Sequence, residues 1–203
     1  MAFFTRYYKK ISLVASVFLN LILSLLLSLF LGSSIVFAAS NTILIKQAEL
    51  QATDEFYLLN AEISITFDSE IEEAINKGVP LHFLIEFQVV SPRKYWFDDE
   101  IMTTTSFVSL SYHALSRQYL VNRDKHQKSF ETLNEARDEL SQLIDLKVLE
   151  KSLLEKDGNY KAALLMRLDQ SELPKAIQVD AIATEKWNLT SQKYEWLLKE
   201  LPK

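Results

Sequence analysis

With 203 residues, 48% of them hydrophobic, the chain is long enough for one globular domain and an apolar leader. Three of the 22 Lys and Arg residues lie in residues 1–38, so residues 39–203 hold 19 of them against 27 Asp and Glu residues, a net charge of −8. This balance argues against nucleic acid and against an anionic lipid surface as partners of residues 39–203. The chain has no Cys and only three Gly residues, which excludes Cys-ligated zinc and a glycine-rich phosphate loop.

The first 38 residues have the layout of an export signal. Three basic residues within residues 6–10 precede the apolar run Ile11–Leu31, and Val36 and Ala38 stand at the −3 and −1 positions of a cleavage site. The apolar run is also long enough to cross a bilayer, and polar residues recur in it at every fourth position, so a retained inner-membrane anchor is the alternative. In both cases we expect residues 39–203 to form a single β-rich periplasmic domain that meets the inner membrane only through this segment.

Alternating apolar residues predict three strands in the first half of this domain. The strands are Thr42–Leu50, Tyr57–Phe67 and Leu81–Val90. Between the second and the third, Ser69 and Glu72 form a capping box, which predicts a short helix that Gly78 closes.

The second half of the domain continues this pattern. Further strands are expected at Met102–Tyr112, at Arg117–Asn122 and, after a turn at Asp157–Asn159, at Tyr160–Leu168. We interpret Asn122–Ser129 as a polar loop, and Thr132 with Glu135 as the capping box of a second helix. The apolar stripe of that helix is formed by Leu133, Ala136, Leu140, Leu143 and Ile144. Pro174 then precedes the apolar segment Ile177–Ile182.

About seven short strands, with two capped helices in the connections, favour a mainly β fold, an antiparallel β-sandwich of immunoglobulin-like size. An α+β fold, in which both helices lie on one face of an antiparallel sheet, is the alternative. Either fold buries one hydrophobic core.

The segment Ser91–Glu100, SPRKYWFDDE, combines two cations, three aromatics and three carboxylates after a strand that Pro92 ends. With the hairpin that follows, it supplies the candidate binding residues Arg93, Lys94, Tyr95, Trp96, Asp98, Asp99, Tyr112 and Arg117. One hypothesis is a binding anchor for an envelope protein or peptide, because Arg and aromatic residues dominate binding hot spots. The other is a plug, in which Trp96 and Phe97 fill one end of the sandwich while Arg93 or Lys94 pairs with Asp98 or Asp99. The usual burial of large aromatic side chains favours the plug.

Catalytic and metal-binding patterns are weak in this sequence. His82, His113 and His126 lie in separate elements, without a second His at ligand spacing. Asp98–Glu100 lacks the spacing of a calcium loop, and no Ser stands on a glycine-flanked elbow. We therefore expect no metal, no cofactor and no enzymatic activity. A hydrolase of an envelope polymer, with convergent carboxylates or a pair of histidines in a cleft, is the alternative.

Three blocks of the chain resemble the proteobacterial exported family known as domain of unknown function 4390. These blocks are SPRKYWFDDE, SLSYHALSRQYLV at Ser109–Val121 and LPKAIQVDAIATEKWNLTS at Leu173–Ser191. The resemblance implies an envelope protein without assigned catalytic residues, in a family often encoded beside a sensor histidine kinase. Relatives tend to carry tryptophan-rich aromatics where this chain has Lys94 and Tyr95. Together with the residues, this indicates a non-catalytic periplasmic binding module with an envelope protein or peptide as partner, in a pathway with that kinase.

Overall fold

The computed structural model describes residues 20–21, 42–124, 126–155 and 158–198. The predicted leader, apart from Asn20 and Leu21, and Asp157 of the predicted turn lie outside the described residues. No helix within the described ranges is long and apolar enough to span a membrane. The fold reported below is that of the unit Ala39–Lys203.

Nine strands in the described residues form two antiparallel sheets. The strands are β1 (Thr42–Ala52), β2 (Phe56–Thr66), β3 (Leu81–Ser91), β4 (Asp99–His113), β5 (Gln118–Arg123), β6 (His126–Phe130), β7 (Gln142–Glu150), β8 (Lys161–Leu168) and β9 (Tyr194–Leu197). The small sheet has the order β1-β2-β7, and the large sheet has the order β6-β5-β4-β3-β8-β9. The prediction of a mainly β, sandwich-like fold is confirmed.

The core lies between the two sheets because strand alternation turns every second residue of the central strands inward. In β2 and β3 the odd-numbered residues are buried, and in β8 the even-numbered ones are buried. The register pairs Phe87 of β3 with Thr104 of β4 and with Leu164 of β8, so their side chains share the inner face. The Thr104 hydroxyl also donates to the carbonyl oxygen of Val148 in β7 at 2.8 Å, which links the two sheets.

Three short helices lie in the connections between strands. They are α1 (Ser69–Asn76), α2 (Leu133–Leu140) and α3 (Lys175–Ala183), accompanied by 3-10 turns at Lys151–Leu153, Gln170–Glu172 and Glu185–Trp187. The predicted cap of α1 is off by one residue, because the Asp68 carboxylate rather than Ser69 accepts from the backbone N–H of Ile71, at 2.9 Å. Gly78 follows α1 with a φ of 89°, which fits its predicted role in closing the helix.

The second predicted helix begins correctly but ends early. The Thr132 hydroxyl accepts from the N–H of Glu135 at 3.2 Å, as the capping box predicts. The helix ends at Leu140, so the prediction that Leu143 and Ile144 continue its apolar stripe is wrong: both lie in β7, where Leu143 is buried and Ile144 is exposed. The pairing of β7 with β2 outweighs the helical pattern, since it completes the small sheet over the core.

Two further elements differ from the sequence prediction. The predicted polar loop Asn122–Ser129 contains most of β6, an edge strand that pairs with β5. Its side chains from His126 to Ser129 are exposed, so this strand lacks the apolar alternation by which a strand is recognised. The segment after Pro174 forms α3, so the described part of the domain has three helices where two were predicted.

Arg123 of β5 links the C-terminal end of α2 to the large sheet. Its Nη2 donates to the carbonyl oxygens of Glu139, at 3.3 Å, and of Gln142, at 3.0 Å. Burial lowers the pKa of this guanidinium from its ordinary value. The two hydrogen bonds join Arg123 of β5 to the last turn of α2 and to the first residue of β7.

Candidate functional site

The loop between β3 and β4, residues 92–98, carries three consecutive exposed aromatic side chains. Tyr95 is 87% exposed, Trp96 77% and Phe97 89%. Pro92 follows the end of β3 and has no N–H with which to extend its hydrogen-bond ladder, so the chain leaves the sheet here. We call Tyr95, Trp96 and Phe97 the aromatic tip.

The plug interpretation of Trp96 and Phe97 is therefore wrong. A plug requires both rings to be buried between the sheets, whereas both are largely exposed to solvent. Other aromatics pack in the core instead, since Phe87 contacts Trp196 of β9 with ring centroids 6.1 Å apart. The tip is thus left free to contact something outside the domain.

The two ends of the loop are held together by charge. Arg93 forms an ion pair with Asp99, as the sequence predicted for this cation and one of the two neighbouring aspartates. The backbone N–H of Arg93 also donates to Oδ1 of Asp98, at 3.3 Å. Next to them, the Lys94 ammonium lies 5.5 Å from the ring centroid of Tyr95, within the range of a cation–π interaction.

A chain of polar contacts continues from the loop across β8 and β9. Nζ of Lys161 lies 3.9 Å from Oδ2 of Asp98 and 3.2 Å from Oε2 of Glu195. Lys193 then approaches the other oxygen of Glu195, at 3.7 Å. Each of these exposed pairs is weak by itself, at about 0–1 kcal/mol, but all of them restrict the base of the same loop.

Further hydrogen bonds connect Lys193 to residues of β3 and β4 next to the loop. Nζ of Lys193 donates to Gln88 at 3.0 Å, and the Gln88 amide donates to Glu100 at 3.4 Å. The Thr103 hydroxyl donates to Glu100 at 2.7 Å. Sequence reasoning missed Lys161, Lys193 and Glu195, because they lie far along the chain and become neighbours of the loop only through strand order.

Two predicted site residues, Tyr112 and Arg117, do not belong to this site. Strand β4 runs from Asp99 to His113, which places its two ends about 45 Å apart. Tyr112 and Arg117 lie near the far end, around the exposed turn that carries Leu115, which is 93% exposed. The structure therefore divides the predicted site into the β3–β4 loop and a separate turn.

The far end has an aromatic cluster of its own, which is part of the packing. The rings of Tyr112 and Tyr119 lie 4.9 Å apart, and the Tyr119 hydroxyl donates to Oδ1 of Asn76 at 2.6 Å. Burial, helped by the neighbouring Tyr112 and Glu72, raises the pKa of Tyr119. Arg117 is exposed and adopts a φ of 55°, as suits a turn residue.

Within the described ranges, no group of three or more His, Asp or Glu side chains comes together as a set of metal ligands. The carboxylates that the sequence analysis weighed for calcium each have a partner, since Asp98 faces Lys161, Asp99 pairs with Arg93, and Glu100 accepts from Thr103. We call the ion pairs of Arg93 with Asp99 and of Lys161 with Asp98, at the base of the loop, the brace.

Two depressions lie beside the small sheet, away from the loop. One has a volume of about 230 Å³ and includes Glu49, Asn60 and Glu62 in its lining. The other, of about 500 Å³, lies between β2 and α2 and shares Glu62 with the first. Lys46 engages Glu62 in an ion pair of 2.8 Å, so that carboxylate is already neutralised by a neighbour.

A family model for a domain of unknown function, DUF4390, matches residues 40–197. The chain belongs to the DUF4390 family. The match spans the whole sandwich, from β1 to the end of β9, and includes the β3–β4 loop. No curated protein and no solved structure matches this DUF4390 chain. The family resemblance seen in the three sequence blocks is thereby confirmed.

Proposed function

We propose that this DUF4390 domain is a non-catalytic binding module of the cell envelope, that it works in the periplasm, and that the aromatic tip is its contact surface. The observation that carries the proposal is the exposure of Tyr95, Trp96 and Phe97 side by side on one loop. Large aromatics are usually buried, and leaving three of them in water forgoes a favourable transfer free energy of about 1.5–3 kcal/mol for each. A contact that buries them recovers that free energy.

The brace at the base of the loop supports the same proposal. Binding costs about 0.5–1.5 kcal/mol for each side chain that has to be ordered. Asp98 and Asp99 are already held by Lys161 and Arg93, so less ordering remains to be done when the tip is bound. The setting that the family resemblance implies is an envelope pathway with a sensor histidine kinase, and we place the module there.

A hydrolase of an envelope polymer remains the alternative proposal, with a different site. Its carboxylates would be sought in the depressions beside the small sheet, at Glu49 and Glu62. Such a hydrolase needs two carboxylates that both face the substrate, whereas Glu62 is already engaged by Lys46 in an ion pair. The binding module is therefore the function that the geometry supports best.

Photocrosslinking from the tip in intact cells tests the proposal without assuming what the partner is. Tyr95 is replaced by p-benzoylphenylalanine in the full chain, and after irradiation both protein adducts and lipid adducts are detected by mass. We expect an adduct from position 95. The matched control carries the same photoreactive residue at Leu115, which is equally exposed at the far end of β4. Adducts at neither position, or equal yields at both, contradict the proposal.

A further inference from the structure

We propose that the aromatic tip inserts into the headgroup region of a zwitterionic lipid bilayer. This inference rests on the proposed function, since it takes the aromatic tip as the contact surface. It names a lipid interface as the partner, in place of the protein or peptide that the sequence led us to expect. The area of the tip, its exposure, its residue types and the charge around it all favour lipid.

The tip is too small for a stable protein interface. An aromatic side chain buries about 150–250 Å² when covered completely. With exposures of 77–89%, Tyr95, Trp96 and Phe97 together offer roughly 500 Å². A stable protein–protein interface buries about 800 Å² on each partner, and its hot spots are ringed by further contacts. A bilayer requires no such minimum buried area, because its lipids surround any side chain that inserts into it.

The exposure of the tip also favours a fluid partner. Three consecutive side chains, each exposed by more than three quarters, lie open to solvent on the loop that joins β3 and β4. A protein partner would need a cleft that encloses all three rings. Lipid headgroups and the upper acyl chains rearrange around such a tip and contact every ring at once.

The residue types match those that membrane proteins place at the bilayer surface. Trp and Tyr are enriched at the membrane–water interface, because their rings are apolar while the indole N–H and the phenol O–H stay hydrogen-bonded. Phe97 supplies a purely apolar neighbour. Lys94 precedes the rings, and a Lys side chain can lay its methylene stem along acyl chains while its ammonium reaches a lipid phosphate.

Charge decides which lipid class the tip prefers. Residues 39–203 carry a net charge of −8, so an anionic membrane surface repels the domain as a whole. At the tip itself the nearby Asp98 and Asp99 are neutralised by Lys161 and Arg93. Insertion is therefore driven by apolar partition rather than by attraction between charges, so we expect it on zwitterionic lipid and expect it to persist at high salt.

Tryptophan quenching in vesicles of brominated phosphatidylcholine tests the inference on the full chain. The chain has three Trp residues, at positions 96, 187 and 196, and the predicted leader has none, so the leader adds no signal. We expect the bromolipid to quench roughly a third of the total fluorescence, the share of one residue in three. Trp96→Phe, which keeps an apolar ring, should abolish that quenching.

The matched control moves the reporter to the far end of the domain. In the double variant Trp96→Phe with Leu115→Trp, the new indole occupies an equally exposed position on the turn after β4, and we expect no quenching of it. Quenching that does not depend on Trp96, that is equal at the two positions, or that requires anionic lipid and disappears at high salt overturns the inference. A protein adduct from position 95, without Trp96-dependent quenching, overturns the lipid inference and leaves the proposed function standing. Adducts of neither kind refute the proposed function itself.

Discussion

Replacing Phe87 by Ala tests whether the two sheets share one core. Phe87 is 1% exposed at the centre of β3, between Thr104 of β4 and Leu164 of β8, with the ring of Trp196 6.1 Å away. Full burial of a Phe contributes about 1.5–3 kcal/mol in transfer free energy. Because neighbouring strands hold the walls of the resulting cavity in place, we expect a total loss of about 3–5 kcal/mol.

The assay is equilibrium unfolding in urea, with Phe107→Ala as the matched control. Phe107 lies on the neighbouring strand β4 but faces outward and is 55% exposed. Its truncation should cost less than about 1 kcal/mol, since surface substitutions usually change stability little. Equal losses for the two variants, or a loss below about 1 kcal/mol for Phe87→Ala, would refute the register and the shared core.

Three further changes test the loop and its surroundings. Trp96→Ala should lower the free energy of unfolding by less than about 1 kcal/mol, because the indole is exposed. A loss of several kcal/mol in a urea titration would instead support the plug interpretation, in which Trp96 is buried. Arg123→Ala should cost about 1–3 kcal/mol in the same assay, since it removes two hydrogen bonds from a charged donor, one to the part-buried carbonyl of Glu139 and one to the exposed carbonyl of Gln142. The Ser171 hydrogen bonds lower the pKa of Asp169, so the contribution of this carboxylate is present above about pH 4 and is lost as the pH falls through its folded-state pKa. The stability difference between wild type and Asp169→Asn, below about 1 kcal/mol for so exposed a group, should therefore shrink from about pH 6 to about pH 2.

Strands with one buried face were predictable from local pattern. In β2 and β3 apolar residues alternate over most of the strand, because each packs one face on the core and leaves the other facing outward, and in β8 every even-numbered residue is apolar and buried. The caps of α1 and α2 were predictable to within a residue for the same reason, since capping is a contact between near neighbours in sequence.

Elements that depend on distant partners were not predictable in this way. Leu143 and Ile144 continue the apolar spacing of α2, and only the pairing of β7 with β2 makes them part of a strand. The edge strand β6 has almost no buried side chain, so it resembles a loop. The state of β7 is a case of tertiary contacts overriding local preference.

In the candidate site, too, contacts between near neighbours in sequence were predictable and contacts between distant residues were not. The ion pair of Arg93 with Asp99 joins residues six positions apart and could be expected from the sequence. The contact of Asp98 with Lys161 depends on β8 lying beside β3, which no local pattern reveals. The exposure of Trp96 could not be predicted, because an aromatic residue after a strand fits a buried end of the core as well as a projecting loop.

We expect the aromatic tip to make the contact of this domain without contributing to the stability of the fold. The most direct test is the yield of photocrosslinked adduct from position 95 in intact cells, compared between chains that carry Trp96 and chains that carry Trp96→Ala. We predict an adduct when Trp96 is present and a roughly tenfold lower yield without it, the effect of losing a hot-spot residue. An unchanged yield in a normally folded Trp96→Ala chain would contradict the claim.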